Sequence, residues 1–208
     1  MAVVTISRQF GAGGWAMAER LCSRLGFHLV DEQVIDELAR KAKISPDWLS
    51  AVEKEASSVI LRAISSVVTS RLLYRPPGLP GEGFERKRYI SFLRRVMTAV
   101  ADEGGYVLVG RGAQFVLKGH PNAIHVMLVG EYENRVRFLM EKYNFSREEA
   151  ERTIKEKERQ RSGVACNVFE TDINDLGLYH VVFNTSLVSI DWAVDAVVSL
   201  VNTRFQGD

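Results

Sequence analysis

The sequence is poor in cysteine, its charges almost cancel, and it lacks a long apolar run. Cys22 and Cys166 are the only cysteines among 208 residues, and they do not have a metal-binding spacing. We therefore predict no disulfide framework and a reducing, cytoplasmic location. With 27 basic and 26 acidic residues, the chain lacks the charge of a general nucleic-acid binder. Because no apolar stretch approaches the about 20 residues of a membrane-spanning helix, we expect neither nucleic acid nor a membrane as a partner.

Proline is also scarce, and three of the five prolines fall within residues 74–83, together with three glycines. This composition predicts a loop. Helical periodicity on either side predicts a long helix at about 46–72 and a basic helix at about 85–103. We assign residues 32–103 to a helical insertion. The apolar face of residues 59–72 could cover the core or form a homodimer.

The amino-terminal stretch has the order strand, glycine turn, helix. Residues 2–7 are rich in β-branched side chains and predict a buried strand, and residues 13–25 have the periodicity of a helix. Between them lie Gly11, Gly13 and Gly14. Glycines allow the backbone to curl so that its N–H groups point inward, and a helix N-terminus adds partial positive charge. The stretch therefore predicts a phosphate-binding turn.

Two phosphate-binding patterns compete for this turn. Residues 11–16 match the dinucleotide pattern G-x-G-x-x-G/A, and Asp31 ends the second predicted strand, where a ribose-binding acid would lie. In the P-loop pattern G-x-x-x-x-G-K-[ST], the first glycine would be Arg8, the lysine Gly14 and the hydroxyl residue Trp15. The dinucleotide pattern fits better locally. The long insertion after the second strand favours a mononucleotide kinase.

The rest of the chain alternates strands with helices. Further strands are predicted at 27–31, 106–110, 124–129 and 180–184. Further helices are predicted at about 132–142, 147–162 and 190–203. Continuous apolar strands separated by helices are typical of a parallel sheet that is covered on both faces. We predict a single α/β domain, residues 1–208, with three layers.

Several motifs resemble the cytidylate kinase-like family of P-loop proteins. The turn reads Ser-Arg-x-x-Gly-x-Gly-Gly, and a later strand is followed by Gly-Arg-Gly. The segments that carry the resemblance are residues 6–14, 25–31, 109–113, 133–136, 158–159 and 179–185. The resemblance implies a nucleoside monophosphate kinase fold with ATP and Mg²⁺ as cofactors. It also implies an acceptor site between the insertion and the core, and an arginine-bearing lid at about 155–172.

The resemblance also implies roles for individual residues. The residues expected to bind ATP or its phosphates are Ser7, Arg8, Gly11, Ala12, Gly13, Gly14 and Trp15. Asp31 and Arg111 are expected to bind the acceptor, and the catalytic candidates are Arg8, Asp31 and the lid residue Arg159. Ser7 and Asp31 are candidate Mg²⁺ ligands by their chemistry, but the metal ligands stay unassigned. Asp31 could instead cap a helix, and Arg159 could lie on a solvated helix face.

The chain departs from cytidylate kinases at two positions. The P-loop lysine is Gly14, and the aspartate of their Gly-Arg-Asp motif is Gly112. Arg8 could replace the missing cation, because its planar guanidinium suits phosphate. We predict an ATP-dependent phosphotransferase that acts on a nucleoside monophosphate or a related small acceptor. The alternatives are a catalytically silent nucleotide-binding regulatory protein and a dinucleotide-dependent oxidoreductase.

Overall fold

Five parallel strands form one sheet in the computed structural model, which describes residues 1–31 and 82–205. The strands are β1 (Val3–Arg8), β2 (His28–Val30), β3 (Tyr106–Val109), β4 (Ala123–Val129) and β5 (Val181–Asn184). Their order is β2-β3-β1-β4-β5, and every pair is parallel. Dinucleotide-binding folds have the order 3-2-1-4, in which β2 lies next to β1. Here β3 separates these two strands, which argues against the dinucleotide hypothesis.

β1 lies at the centre of the sheet, and its amino-terminal half is apolar on both faces. Val3 pairs with Tyr106 of β3 on one side and with Ala123 of β4 on the other. Val3 and Val4 are fully buried, as expected for a strand with a continuous β-branched run. The carboxyl end of β1 therefore emerges between its two neighbours, where ligands bind in open α/β sheets.

Helices cover both faces of the sheet. They are α1 (Gly14–Leu25), α2 (Glu82–Glu103), α3 (Ala113–Val116), α4 (Tyr132–Tyr143), α5 (Arg147–Phe169) and α6 (Ile190–Phe205). A short 3₁₀ helix (Leu176–Leu178) precedes β5. On one face, α1 and α6 pack against one set of alternating strand residues, including Val4 and Val126. On the other face, α2 packs against the second set, including Val3 and Leu108. The three-layer α/β prediction is confirmed.

The predicted element boundaries agree with the structure to within a few residues, with two exceptions, and the short helix α3 is not predicted by the sequence. α2 begins at Glu82, inside the stretch that was predicted to be a loop, and α5 continues to Phe169 instead of ending near residue 162. A capping box explains where α5 begins, because Ser146 and Glu149 bond to each other's backbone N–H groups at 3.2 and 2.8 Å. Most of the expected lid region, residues 155–172, is thus helical.

The predicted helix at 46–72 and its apolar face lie outside the described residues, as does most of the insertion at 32–103. α2 is the part of that insertion that the structure describes. None of the helices in residues 1–31 and 82–205 combines the length and apolarity that are needed to cross a bilayer.

Candidate phosphate-binding site

The glycine turn joins β1 to α1, and two of its glycines adopt a left-handed conformation. Gly11 has φ +87° and Gly13 has φ +80°, a region in which a side chain is strained. Space is also short at both positions. A Cβ on Gly11 would lie 3.0 Å from Cβ of Arg135, and one on Gly13 would lie 2.7 Å from Cδ1 of Ile190. The fold therefore requires glycine at both positions of this turn.

The turn leaves backbone donors available at the start of α1. Gly13 is the N-cap of the helix and provides no side-chain cap. Within the described part of the chain, the N–H groups of Gly11, Gly13 and Gly14 donate to no acceptor. Free N–H groups and the positive end of the helix dipole both favour an anion. The geometry of the turn is suited to phosphate.

The side chain of Arg8 lies directly against Gly14. A Cβ on Gly14 would come within 2.8 Å of Cγ of Arg8 and 3.2 Å of its Cβ and Cδ. In the P-loop pattern, Gly14 is the position of the lysine that the sequence lacks. Arg8, the last residue of β1, thus lies beside the turn, as its position in the sequence predicts. Its role toward phosphate remains a prediction.

A cavity of about 290 Å³ opens beyond the carboxyl ends of β1 and β3. Its lining consists of Ser7, Arg8, Phe10, Gly110, Arg111, Gly112, Gln114, Phe115, Lys157, Gln160, Arg161 and Ile173. Four of these side chains are cationic, and none of the described residues in the lining has a carboxylate. Cationic side chains that converge on one cavity create a positive potential that attracts anions. The cavity is therefore suited to a ligand with several negative charges.

Arg111 enters the cavity from the turn that follows β3, as we expected from its position. Its backbone is left-handed (φ +50°), and the next residue, Gly112, has φ +71°. A Cβ on Gly112 would collide with the ring of Phe169, which also lies 5.0 Å from the ring of Phe115. The aspartate that cytidylate kinases carry at this position does not fit here without moving Phe169.

The arginine that α5 directs into the cavity is Arg161, whereas the sequence analysis selected Arg159. Arg159 is exposed and does not line the cavity. Arg161 lies on the same helix face as Lys157, which also lines the cavity and is four residues earlier. The two arginines are two residues apart and do not share a helix face, and the phase of the helix distinguishes them. Ile154 is 2% exposed, and the residue seven positions later shares its inward face.

The contacts of Arg161 leave much of its donor capacity unused. Nη1 lies 3.4 Å from Oε2 of Glu158, and Nη2 lies 3.3 Å from the thioether sulfur of Met127. Nε is buried and has no hydrogen-bond partner among the described residues. The side chain is nevertheless only 15% exposed. Because one of its two contacts is a thioether sulfur and its Nε has no described partner, this half-buried guanidinium retains donors for an anionic ligand.

Four other predicted site residues have different surroundings. Ser7 is buried and lines the cavity, and its Oγ lies 3.3 Å from the hydroxyl of Tyr179. Trp15 is 45% exposed and, like Asp31 at the end of β2, is outside the described lining. Ala12 is buried in the turn. The structure thus brings Ser7, but not Trp15, next to Arg8 and Arg111.

A magnesium ion fits the donors that are present. No group of three or more His, Cys, Asp or Glu side chains in the described ranges could hold a metal ion. In kinases, however, Mg²⁺ binds mainly to substrate phosphates and water and needs only one or two protein ligands. The buried hydroxyl of Ser7 in the cavity wall could supply one of them.

Known structures share this fold. An uncharacterized protein from Eubacterium ventriosum ATCC 27560 is 19% identical, with a TM-score of 0.68 over 97% of this chain and 99% of that chain. An unliganded sugar kinase from Janibacter sp. HTCC2649 is 14% identical, with a TM-score of 0.50 over 96% of this chain and 93% of that chain. At these identities the similarity concerns the fold alone.

A family model also matches most of the sequence. No curated protein matches the chain significantly. The model of the cytidylate kinase-like family matches residues 3–187, which include the glycine turn, β3 with Arg111, and α5. Membership in a kinase-like family supports a phosphotransferase activity in general. The chain belongs to the cytidylate kinase-like family.

Proposed function

We propose that the protein transfers the γ-phosphoryl group of ATP, with Mg²⁺, to an oxygen atom of a small anionic acceptor, either a nucleoside monophosphate or a related molecule. The observation that carries this proposal is the cationic cavity beside the glycine turn. Arg8, Arg111, Lys157 and Arg161 converge on it from three elements of the chain, and the described lining has no opposing carboxylate. Phosphoryl transfer depends mainly on alignment and neutralisation of charge, which such a cavity can provide.

The residues have separate tasks in this proposal. The free N–H groups of the turn and the guanidinium of Arg8 hold the phosphates of ATP. Arg111, which follows β3, binds the acceptor. Arg161 stabilises the negative charge on the phosphoryl group in the transition state. The acceptor oxygen forms a bond to the γ-phosphorus, the bond to the bridging oxygen breaks, and ADP leaves. Mg²⁺, when bound, would neutralise phosphate charge.

When the acceptor oxygen belongs to a hydroxyl group, its proton must leave during this transfer. Asp31 remains our candidate to orient that hydroxyl and to accept the proton, because it follows β2 at the carboxyl edge of the sheet. A nucleoside monophosphate, which would accept the phosphoryl group on a phosphate oxygen, remains our candidate acceptor. Gly112 and Phe169 argue against selection of cytosine through a carboxylate at residue 112. We therefore include sugar phosphates and hydroxy acids among the acceptors to be tested.

Two measurements test the proposal. Calorimetry with ATP and Mg²⁺ measures binding, and ADP release with a panel of acceptors measures turnover. We expect Arg8→Ala to weaken ATP binding at least tenfold, since charge-assisted hydrogen bonds are about twice as strong as neutral ones. Arg20→Ala is the matched control because Arg20 lies on α1 in an exposed ion pair with Asp191. Absence of ATP binding by the wild-type protein would contradict the proposal.

A catalytically silent nucleotide-binding protein remains the second candidate. It is favoured by Trp15, which is 45% exposed and stands where a P-loop has its metal-binding hydroxyl residue. In that case ATP binds, and no acceptor on the panel increases ADP release. The homodimer, and the absence of nucleic-acid and membrane partners, stay predictions. A solution mass measurement tests the first of these.

A further inference from the structure

An ion pair outside the cavity lining connects three segments near the glycine turn. Arg135 on α4 is 8% exposed, and its Nη1 lies 3.1 Å from Oε1 of Glu158 on α5. Neither residue belongs to the described lining of the cavity. Burial of a charged pair is costly unless further hydrogen bonds satisfy it. Further hydrogen bonds to these two side chains are therefore expected.

Arg135 binds two backbone carbonyl groups besides the carboxylate. Its Nε donates to the carbonyl of Gly130 at 3.1 Å, and its Nη1 donates to the carbonyl of Phe10 at 3.2 Å. Gly130 follows β4, and its N–H donates to Oε1 of Gln9 at 3.0 Å. The guanidinium thus joins the end of β4 to the residue that immediately precedes Gly11.

Glu158 completes the attachment of the same peptide segment. The N–H of Phe10 donates to Oε1 of Glu158 at 2.8 Å. The other carboxylate oxygen, Oε2, lies 3.4 Å from Nη1 of Arg161, the cavity cation. Both backbone polar groups of Phe10 are therefore held by one ion pair. The same carboxylate reaches the arginine that faces the ligand.

We propose that Arg135 and Glu158 are positioning residues that fix the glycine turn and hold Arg161 at a fixed position relative to it. The proposal rests on the proposed function, because it assumes that this arrangement serves phosphate binding. A turn with three glycines has many accessible conformations, and binding is weakened when they must be restricted. The pair restricts the residue at the entrance to the turn before a ligand arrives. A small displacement of such groups can lower a rate by about 100-fold.

Three variants separate the components of this pair. Glu158→Gln retains an oxygen that can accept from Phe10 but removes the charge that attracts the two arginines. Glu158→Ala removes both. Arg135→Lys retains the charge but lacks the planar fork that reaches two carbonyls and a carboxylate together. Glu151→Gln is the matched control because Glu151 lies on α5 in an exposed pair with Arg147.

The first measurement is the hydrogen exchange of the Phe10 amide, followed by NMR without ligand. We expect faster exchange at this amide in Glu158→Ala than in the wild type, with no change in Glu151→Gln. The second measurement is steady-state kinetics with MgATP. We expect kcat/KM to fall about 100-fold in Glu158→Ala and about tenfold in Glu158→Gln and in Arg135→Lys. The KM for ATP should rise in all three variants, because the turn is less restricted.

The outcomes distinguish this proposal from the proposed function. If the wild type binds neither ATP nor inorganic pyrophosphate, the proposed function fails. If the wild type binds ATP and all three variants bind it within twofold of the wild-type Kd, only the positioning role fails. Thermal unfolding of each variant is measured in parallel. If Glu158→Ala does not fold, Glu158→Gln and Arg135→Lys decide the question, because each retains part of the pair.

Discussion

β4 has an arginine near each end, and the two arginines have different kinds of partner. At its amino end, Arg204 of α6 donates to the carbonyls of Ala123 at 3.4 Å and Pro121 at 3.2 Å, and its Nη1 lies 2.9 Å from Nε2 of His180. Near the carboxyl end, Arg161 contacts the sulfur of Met127 and, at 3.4 Å, the carboxylate of Glu158. The first arginine is bound by carbonyl oxygens. The second faces a cavity.

This difference distinguishes a structural polar cluster from a binding site. Around the amino end, the side chains satisfy one another. Thr5 and His125 share a hydrogen bond of 2.8 Å, and the other ring nitrogen of His125 lies 3.2 Å from the carbonyl of Leu117. Around the carboxyl end, four cationic side chains line one cavity, and Nε of Arg161 is buried with no hydrogen-bond partner among the described residues. Because a group of cationic side chains attracts an anion, the carboxyl end is the one that is suited to a ligand.

The largest expected effect concerns Arg161. If it stabilises the transferred phosphoryl group, Arg161→Ala should lower kcat by about 10³-fold, which is ~4 kcal/mol, because arginines in this role contribute at least that much. Arg159→Ala is the matched control, since Arg159 is exposed on the same helix, and we expect a change below twofold. Steady-state kinetics of both variants provide the comparison. Equal losses in the two variants would contradict our assignment of the cavity-facing side chain.

The next effect is a pH dependence of stability at the amino end of β4. Burial lowers the pKa of His125 from 6.5 to about 4, and the neighbouring His180, His120 and Arg204 add to this effect. Between pH 4 and 6.5 the unfolded chain therefore binds more protons than the folded chain. The free energy of unfolding should rise with pH across this window, by about 3 kcal/mol at 1.4 kcal/mol per pKa unit.

Urea denaturation at several pH values measures this dependence, and the titration of the His125 ring can be followed by NMR. Burial and Arg204 also lower the pKa of His180, which adds slope in the same direction. His125→Gln retains groups that can bond to Thr5 and to the Leu117 carbonyl, and it should reduce the slope. A free energy of unfolding that is constant from pH 4 to 6.5 would refute the assignment of a buried, neutral histidine.

A smaller effect is expected when Arg204 is replaced, and we expect it to change stability but not ATP affinity. Arg204→Met should lower the free energy of unfolding by about 2 kcal/mol, because hydrogen bonds to two carbonyl groups are lost. ATP affinity should stay within twofold of the wild type, since the cluster lies at the opposite end of β4 from the cavity. Thermal unfolding and calorimetry measure the two quantities. A large loss of ATP affinity with unchanged stability would reverse our distinction between the two ends.

The sequence predicts those parts of this site that depend on local order. A β-branched run followed by glycines predicts β1 and the turn, and the family resemblance selects Arg8 and Arg111, which lie at or just after the carboxyl end of a strand. Because the carboxyl ends of parallel strands meet at one edge of the sheet, where ligands bind, Arg8 and Arg111 are expected to lie close together. In contrast, the choice between Arg159 and Arg161 depends on which face of α5 packs inward. That choice needs the helical phase relative to the buried Ile154.

Contacts between distant segments could not be predicted in this way. Glu158 lies 148 residues from Phe10 along the chain, and their hydrogen bond joins a backbone group that has no sequence signature. The obstruction of Gly112 by Phe169 similarly depends on α5 extending beyond residue 162. Neither composition nor periodicity contains this information, because it arises only when α5 packs across the ends of β1 and β3.

The smallest expected effect concerns the contact that holds Arg8 beside the glycine turn. Gly14→Ala introduces a Cβ within 2.8 Å of Cγ of Arg8, so Arg8 must move away from the turn. We expect the Kd for MgATP to rise five- to tenfold, which is about 1 kcal/mol. Helix propensity alone would increase stability, since alanine is favoured over glycine by up to about 1 kcal/mol in a helix. Weaker binding by a protein that is no less stable would place the loss at Arg8, whereas unchanged binding would show that the turn needs no cation there.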